Sequence, residues 1–77
     1  MEKIWILTNS KREFIKAIAK REEAIKEMEK WRESFIKIGI FNSISKIDSV
    51  YNDRISFKVT DREGKELEMV ARAEILN

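Results

Sequence analysis

The segment ISFKVTDREGKELEMVARAEIL, residues 55–76, constrains the fold most strongly, because its turn and its alternation of side chains agree. DREG is typical of a type I turn in which Gly64 takes the left-handed conformation of a β-bulge. Pairing Asp61 with Lys65 then aligns apolar residues on one face: Val59 with Leu67, Phe57 with Met69, and Ile55 with Ala71. The other face pairs Ser56 with Val70 and Lys58 with Glu68. This register predicts two antiparallel strands, 55–61 and 65–75, with one buried side.

The run EKIWIL, residues 2–7, predicts the first strand of the chain. Ile4 and Ile6 point to one face of this strand, and Trp5 and Leu7 point to the other. Both faces are therefore apolar, which is typical of a strand inside a sheet rather than at its edge.

A single long helix is predicted over residues 11–37. Ser10 and Glu13 have the spacing of a capping box, and no Gly or Pro interrupts the chain before Gly39. Apolar residues recur at helical spacing along one side: Phe14, Ala17, Ile18, Ala24, Ile25, Met28, Trp31, Phe35 and Ile38.

A further strand is predicted at about 42–51, before a turn at Asn52 and Asp53. A loop one residue longer than a two-residue hairpin loop, or a bulge, would bring Ile47 and Tyr51 inward. The whole chain, 1–77, is thus predicted to be a single α+β domain of β-α-β-β-β order. Its four-stranded, mostly antiparallel sheet would carry one long helix on one face. The order of the strands is left open by the sequence.

The predicted helix of about 27 residues would span about 40 Å, whereas a strand of about eight residues covers only about 26 Å. The helix would then overhang the sheet with an apolar stripe, which is typical of an interface. This mismatch predicts a homodimer or a protein partner. The alternative is a helix that crosses the sheet diagonally, with its ends covered by residues 39–44.

Composition excludes several classes of function. The chain has no Cys and no His, so disulfides and the usual zinc ligands are missing, and no metal or cofactor is expected. It also lacks a glycine-rich phosphate loop or a nucleophile motif, so we do not expect an enzyme. No apolar run approaches the roughly 18 residues of a membrane span, which predicts a cytoplasmic protein, in the host cytoplasm if it is phage-encoded.

The basic residues of the predicted helix suggest binding surfaces. Arg12, Lys16 and Lys20 recur every fourth residue and would form a ridge that contacts phosphate or an acidic protein, or simply a solvated face. Arg21 and Arg32 fall within the apolar stripe. There they would either extend to a carboxylate on the sheet or form the polar part of a subunit interface.

Residues of the sheet offer a second surface. Trp5 with Lys58, Arg54 and Arg72 would suit a platform that stacks RNA bases, but acidic residues on the same face would repel phosphate. The net charge of +2 is also small for a nucleic-acid binder.

The leading hypothesis is a small protein-interaction module that blocks a partner, of the kind common among phage and mobile-element inhibitors. Partner contacts are assigned to the aromatic residues and the ridge: Trp5, Arg12, Lys16, Lys20, Trp31 and Phe35. The alternative is a nucleic-acid-binding protein that uses the basic ridge.

Overall fold

The structure, a computed structural model, describes residues 3–75 and contains one helix and an antiparallel sheet. The α+β class is confirmed, but the sheet has five strands rather than the predicted four, in the order β2-β1-β5-β4-β3. The elements in chain order are β1 (Lys3–Thr8), β2 (Phe14–Ile18), α1 (Arg21–Ile38), β3 (Ser43–Ile44), β4 (Arg54–Thr60) and β5 (Glu66–Ile75).

The hairpin of β4 and β5 has the predicted register. Phe57 pairs with Met69, Ile55 with Ala71 and Val59 with Leu67, and Ser56 and Lys58 oppose Val70 and Glu68 on the other face. The turn is also as predicted: the Gly64 N–H donates to the Asp61 carbonyl, and Gly64 has a φ of 88°. Local turn chemistry and the alternation of side chains therefore determine this part of the fold.

The core lies between α1 and one face of the sheet. β1 is an interior strand, as its two apolar faces predicted, and its Trp5 and Leu7 are buried. They pack with buried residues of α1, β4 and β5: Ala24, Met28, Ile55, Phe57, Val59, Met69 and Ala71. Ile4 and Ile6 point to the opposite face, where no helix of the described chain covers them, and both are half-buried.

The predicted start of the helix at residue 11 is wrong, because α1 begins at Arg21 and residues 14–18 form β2. β2 pairs with β1. Without β2, one edge of the apolar strand β1 would have no hydrogen-bond partner. Glu22 and Glu23 lie in the first turn of α1 and complement the helix dipole, and Lys37 lies in the last turn. Gly39 ends the helix as predicted, in the left-handed conformation with a φ of 74°.

The residues predicted as a capping box form a hairpin turn instead. The Asn9 side-chain oxygen accepts hydrogen bonds from the N–H groups of Lys11 and Glu13, at 2.9 and 3.0 Å. The Arg12 N–H donates to the Asn9 carbonyl at 2.9 Å, which closes the turn. Asn9 therefore takes the capping role that the sequence assigned to Ser10, and it reverses the chain rather than starting a helix.

The β1–β2 and β4–β5 turns have the same hydrogen-bond pattern. In the second turn, Asp61 takes the place of Asn9: its side chain accepts from Glu63 and Lys65, and its carbonyl accepts from Gly64. The position of Gly64 is held by Arg12 in the first turn, with a φ of 63°. A left-handed conformation costs a non-glycine residue about 1–2 kcal/mol, so Arg12 is unfavourable for folding at this site.

The segment before β4 is less regular than predicted. Instead of a strand over 42–51, only Ser43–Ile44 is a strand, and one further bridge joins Asp48 to Ser56. Ile47 packs partly against the core as predicted, whereas Tyr51 is 60% exposed.

The predicted overhang of the helix is also wrong. With 18 residues α1 is about 27 Å long, shorter than the roughly 33 Å of the ten-residue β5. The length mismatch that predicted a homodimer is thus absent from residues 3–75. Within that range no helix is long and apolar enough to cross a membrane.

The matched turns predict opposite effects of two substitutions. Arg12→Gly should stabilise the fold by roughly 0.5–1 kcal/mol, since relief of the left-handed strain exceeds the added entropy of the unfolded chain. Gly64→Ala should destabilise it by a similar amount, because its added Cβ meets no atom within 4 Å and only the φ of 88° opposes it. Urea unfolding of both variants measures the difference; an Arg12→Gly variant that is less stable than the parent would contradict this assignment.

Candidate binding edge and open sheet face

β2 is an edge strand with most of its surface exposed. Its only neighbour within the described chain is β1, so one side of its backbone is unpaired there. Phe14 is 65% exposed and Ile15 is 47% exposed, although both are large and apolar. Exposed edge strands of this composition can pair with another extended chain.

Lys16 lies at the centre of β2, and its charged side chain extends towards the helix side of the sheet. It pairs with buried Leu7 on β1, and its Nζ lies 3.4 Å from Glu27 Oε1 on α1. The Lys16 side chain is 49% exposed, so this ion pair is weak. An inward-pointing charge on an edge strand is a known obstacle to indiscriminate strand pairing.

The predicted helical ridge of Arg12, Lys16 and Lys20 does not exist as a helix face. Arg12 lies in the β1–β2 turn, Lys16 within β2, and Lys20 immediately before α1. Together with Lys11 they are distributed along the β2 edge, where Glu13 is the one acidic residue between positions 9 and 21. Positive charge therefore accompanies an edge strand, and Lys20 lies at both the end of that edge and the N-cap of α1.

The two arginines of the apolar stripe bind backbone carbonyls, not carboxylates. Arg21 Nη2 donates to the Ser49 carbonyl at 2.6 Å, and Arg32 Nε donates to the Ser45 carbonyl at 2.7 Å. Both bonds attach the irregular segment between β3 and β4 to α1. The observed contacts give these arginines a structural role that the sequence did not predict.

The three aromatic residues that were predicted to contact a partner are buried in the core to different degrees. Trp5 is 3% exposed, so it lies in the core and not on the open face of the sheet, where the predicted platform required it. Trp31 and Phe35 are half-buried against the core, and the Phe35 ring contacts Phe41 and Phe57 edge-on. Phe14, predicted to lie on the apolar side of the helix, is instead an exposed aromatic residue of β2, close in sequence to Arg12 and Lys16.

The C-terminal end of α1 carries another group of exposed apolar residues: Ile36, Ile38 and Ile40, which are 50–57% exposed. Ile36 lines a depression with Ser43 and Ile44 of β3, the two-residue strand at the other edge of the sheet. Lys37 is the one basic residue between positions 35 and 41, so this group is less informative about the chemistry of a partner than the β2 edge.

The open face of the sheet carries a depression of about 580 Å³ with a mixed charged lining. Ile6 and Val70 contribute its apolar part, and three arginines and three glutamates line it: Arg12, Arg54, Arg72, Glu66, Glu68 and Glu74. The formal charge of these six residues sums to zero. Lys58 lies on the same face but outside this lining.

Arg54 crosses this face to reach Glu68. Its Nη2 lies 2.7 Å from Glu68 Oε1, although Arg54 pairs across the strands with Arg72 and not with Glu68. Ser56 and Val70 lie between these two positions, so the ion pair spans this pair along the open face. Arg54 Nε is buried without a hydrogen-bond partner in the described part of the chain.

The arginine bonds from α1 predict a local effect. Arg21→Gln should destabilise the protein by about 1 kcal/mol, because the Ser49 carbonyl loses a charged donor. The amides of Ser45 and Asp48, bonded to Lys58 and Ser56, should exchange faster with solvent. Hydrogen exchange measured by NMR checks this, with Lys30→Gln on an exposed part of α1 as the control. Equal exchange rates in both variants would refute the structural role.

Comparison of the chain with protein-family models, with curated proteins and with solved structures finds no significant match in any of the three. The interpretation of the site therefore rests on its geometry and chemistry.

Proposed function

We propose that this chain is a protein-interaction module that binds an extended acidic segment of a partner along the β2 edge. The observation that carries the proposal is the exposed, one-sided pairing of β2, with Phe14 and Ile15 uncovered. A partner strand would satisfy the unpaired backbone groups of β2 and cover these two side chains. Hydrogen bonds along the backbone would supply affinity, and the side chains would select the sequence.

The basic residues define the chemistry of the partner. Lys11 and Arg12 precede β2, Lys16 lies within it and Lys20 follows it, so positive charge accompanies the whole edge. An acidic residue opposite Lys16 would compensate its charge where Glu27 now does so only weakly. Complementary charge would also accelerate the encounter with the partner and reject basic segments.

A second copy of the chain fits this edge less well. Symmetric antiparallel pairing of two β2 strands about Ile15, Lys16 or Ala17 places Lys16 opposite Phe14, Lys16 or Ile18. None of these residues supplies the negative charge. We therefore propose a different protein as the partner, and the homodimer becomes an outcome of the test.

The proposed mode of action is that this chain occupies the bound segment of the partner. A chain that adds a strand to another protein prevents that segment from pairing or binding elsewhere, which is how an inhibitor of the expected phage or mobile-element class would work. The sequence offers no His or Cys for nucleophilic or acid–base chemistry on the bound segment. Binding alone is thus proposed as the activity.

A peptide-display selection against the immobilised chain tests the proposal. The selected peptides should be acidic and rich in strand-forming residues. Ile15→Lys should weaken their binding by about tenfold or more, since it removes an apolar contact and adds charge to the edge. Ile36→Lys is the matched control, because Ile36 is 50% exposed and Ile15 is 47% exposed. Lys16→Glu should reverse the charge preference of the selection.

Several results would reject the acidic-segment proposal. Selected peptides without acidic residues would contradict it, as would equal losses from Ile15→Lys and Ile36→Lys. A dimer measured by light scattering, and lost in Ile15→Lys, would assign the edge to a second copy. Salt-sensitive binding of mixed RNA and DNA, with no peptide selected, would favour the nucleic-acid alternative.

A further inference from the structure

We propose that the depression on the open sheet face binds a carboxylate through Arg54 and Arg72, with Arg12 at its rim. This site lies on the face of the sheet opposite to α1, so the inference does not depend on the proposed function of the β2 edge. The ligand class is a small dicarboxylate or an acidic side chain of a peptide. The two sources share the same chemistry, and the experiment below separates them.

Three features of the arginines are unfavourable for folding. Arg12 occupies a left-handed position that the matching turn gives to Gly64. Arg54 and Arg72 are direct partners across β4 and β5, so two like charges face each other. Arg54 Nε is buried without a partner in the region described. All three residues line the same depression. A bound anion would offset the repulsion between Arg54 and Arg72 and could supply a partner for Arg54 Nε, while the strained turn at Arg12 places a further positive charge beside it.

Glu68 indicates that the anion is a carboxylate. Its Oε1 already accepts from Arg54 Nη2 at 2.7 Å, in a single contact that leaves Arg54 Nε unused. This ion pair is partly exposed, with side-chain exposures of 42% and 37%, so it can be exchanged for a better one. Glu68 thus acts as an internal competitor for the site.

A rotation of the Arg54 side chain towards Arg72 would create a better binding site for a carboxylate. The Nε–H and Nη–H groups of a guanidinium form a planar fork that matches the two oxygens of a carboxylate. Arg72 has no ion pair within residues 3–75 and lies directly across from Arg54, so it can contribute a second fork. Ile6 and Val70 supply an apolar surface for the aliphatic part of the ligand.

The glutamates of the lining argue against anions that concentrate more than one charge in a compact group. Glu66, Glu68 and Glu74 balance the three arginines, so the depression as a whole does not attract polyanions. A single carboxylate can bind between the two arginines and keep its distance from the acidic residues. Phosphate concentrates its whole charge in one compact group, whereas the second carboxylate of a dicarboxylate can extend away from the glutamates into solvent, so phosphate would be repelled more strongly.

The test is an NMR titration of the full ¹⁵N-labelled chain with glutarate, with uncharged glutaramide as the matched control. Glutarate should shift the Arg54 Nε–H signal and the amides of Val70 and Arg72 in a saturable way, whereas glutaramide should not. Arg72→Gln should weaken glutarate binding by about tenfold, because one charged donor pair is lost. Lys30→Gln, remote from the depression, should leave it unchanged.

Glu68→Gln gives a prediction of opposite sign. Removal of the internal competitor should tighten glutarate binding several-fold, which a general loss of structure would not do. Arg12→Gly should weaken the binding while it stabilises the fold, so the two effects can be separated by urea unfolding of the same sample. A short glutamate-containing peptide that shifts the Arg54 Nε–H signal, loses that shift in Arg72→Gln and binds more tightly than glutarate would identify a peptide as the source. The reverse order of affinities at these signals would identify a free dicarboxylate.

The carboxylate site would be overturned by glutarate shifts that glutaramide reproduces, or by shifts that persist at full strength in Arg72→Gln. Tighter binding of inorganic phosphate than of glutarate would also overturn it. Weaker glutarate binding in Glu68→Gln would show that Glu68 is not a competitor, and the mechanism would fail. None of these outcomes affects the peptide selection on the β2 edge, so the two proposals can fail separately.

Discussion

The structure depends on the pairing of β1 on both of its edges. β1 has apolar side chains on its two faces and lies between β2 and β5. A strand of this kind needs hydrogen-bond partners on both sides, because water cannot satisfy its backbone inside the sheet. β5 provides one partner, and residues 14–18 provide the other as β2 instead of extending α1. The β2 edge, with its exposed apolar and basic residues, follows from that choice.

Because residues 14–18 form a strand and not part of the helix, the exposed charge and apolar surface lie along a sheet edge. As part of a helix, Phe14 would have faced the core and the basic residues would have formed a ridge. As part of β2, Phe14 is largely exposed and Lys16 lies in the centre of a sheet edge. The same reversal of the chain at Asn9 places Arg12 beside the open face of the sheet. One topological feature therefore creates the β2 edge and brings Arg12 to the depression, whose other two arginines lie on β4 and β5.

The sequence predicted those parts of the fold in which local and global preferences agree. In the β4–β5 hairpin, Gly64 and the alternation of side chains lead to the same register, and the observed pairs match it. The end of α1 at Gly39 and the interior position of β1 were predicted for similar reasons. Each of these elements contains residues that are compatible with few alternative conformations.

The start of the helix could not be predicted in the same way, because two local signals conflict. Ser10 and Glu13 resemble a capping box, yet Asn9 is equally suited to a turn, and FIKAI contains three strand-forming residues. Tertiary structure decides between them, through the unpaired edge of β1. The two apolar faces of β1 were the available signal, since an interior strand requires a second neighbour. The left-handed conformation of Arg12 had no signal in the sequence at all.

The most direct measurement of this account is the backbone conformation of residues 14–18 in solution. NMR chemical shifts of the Cα and Hα nuclei should have values typical of a strand, and cross-strand contacts should join Ile6 to Ala17 and Trp5 to Ile18. Helical shifts that continue without a break from residue 11 to Ile38, with no such contacts, would contradict the five-stranded sheet. The β2 edge and the position of Arg12 beside the depression would then both be lost.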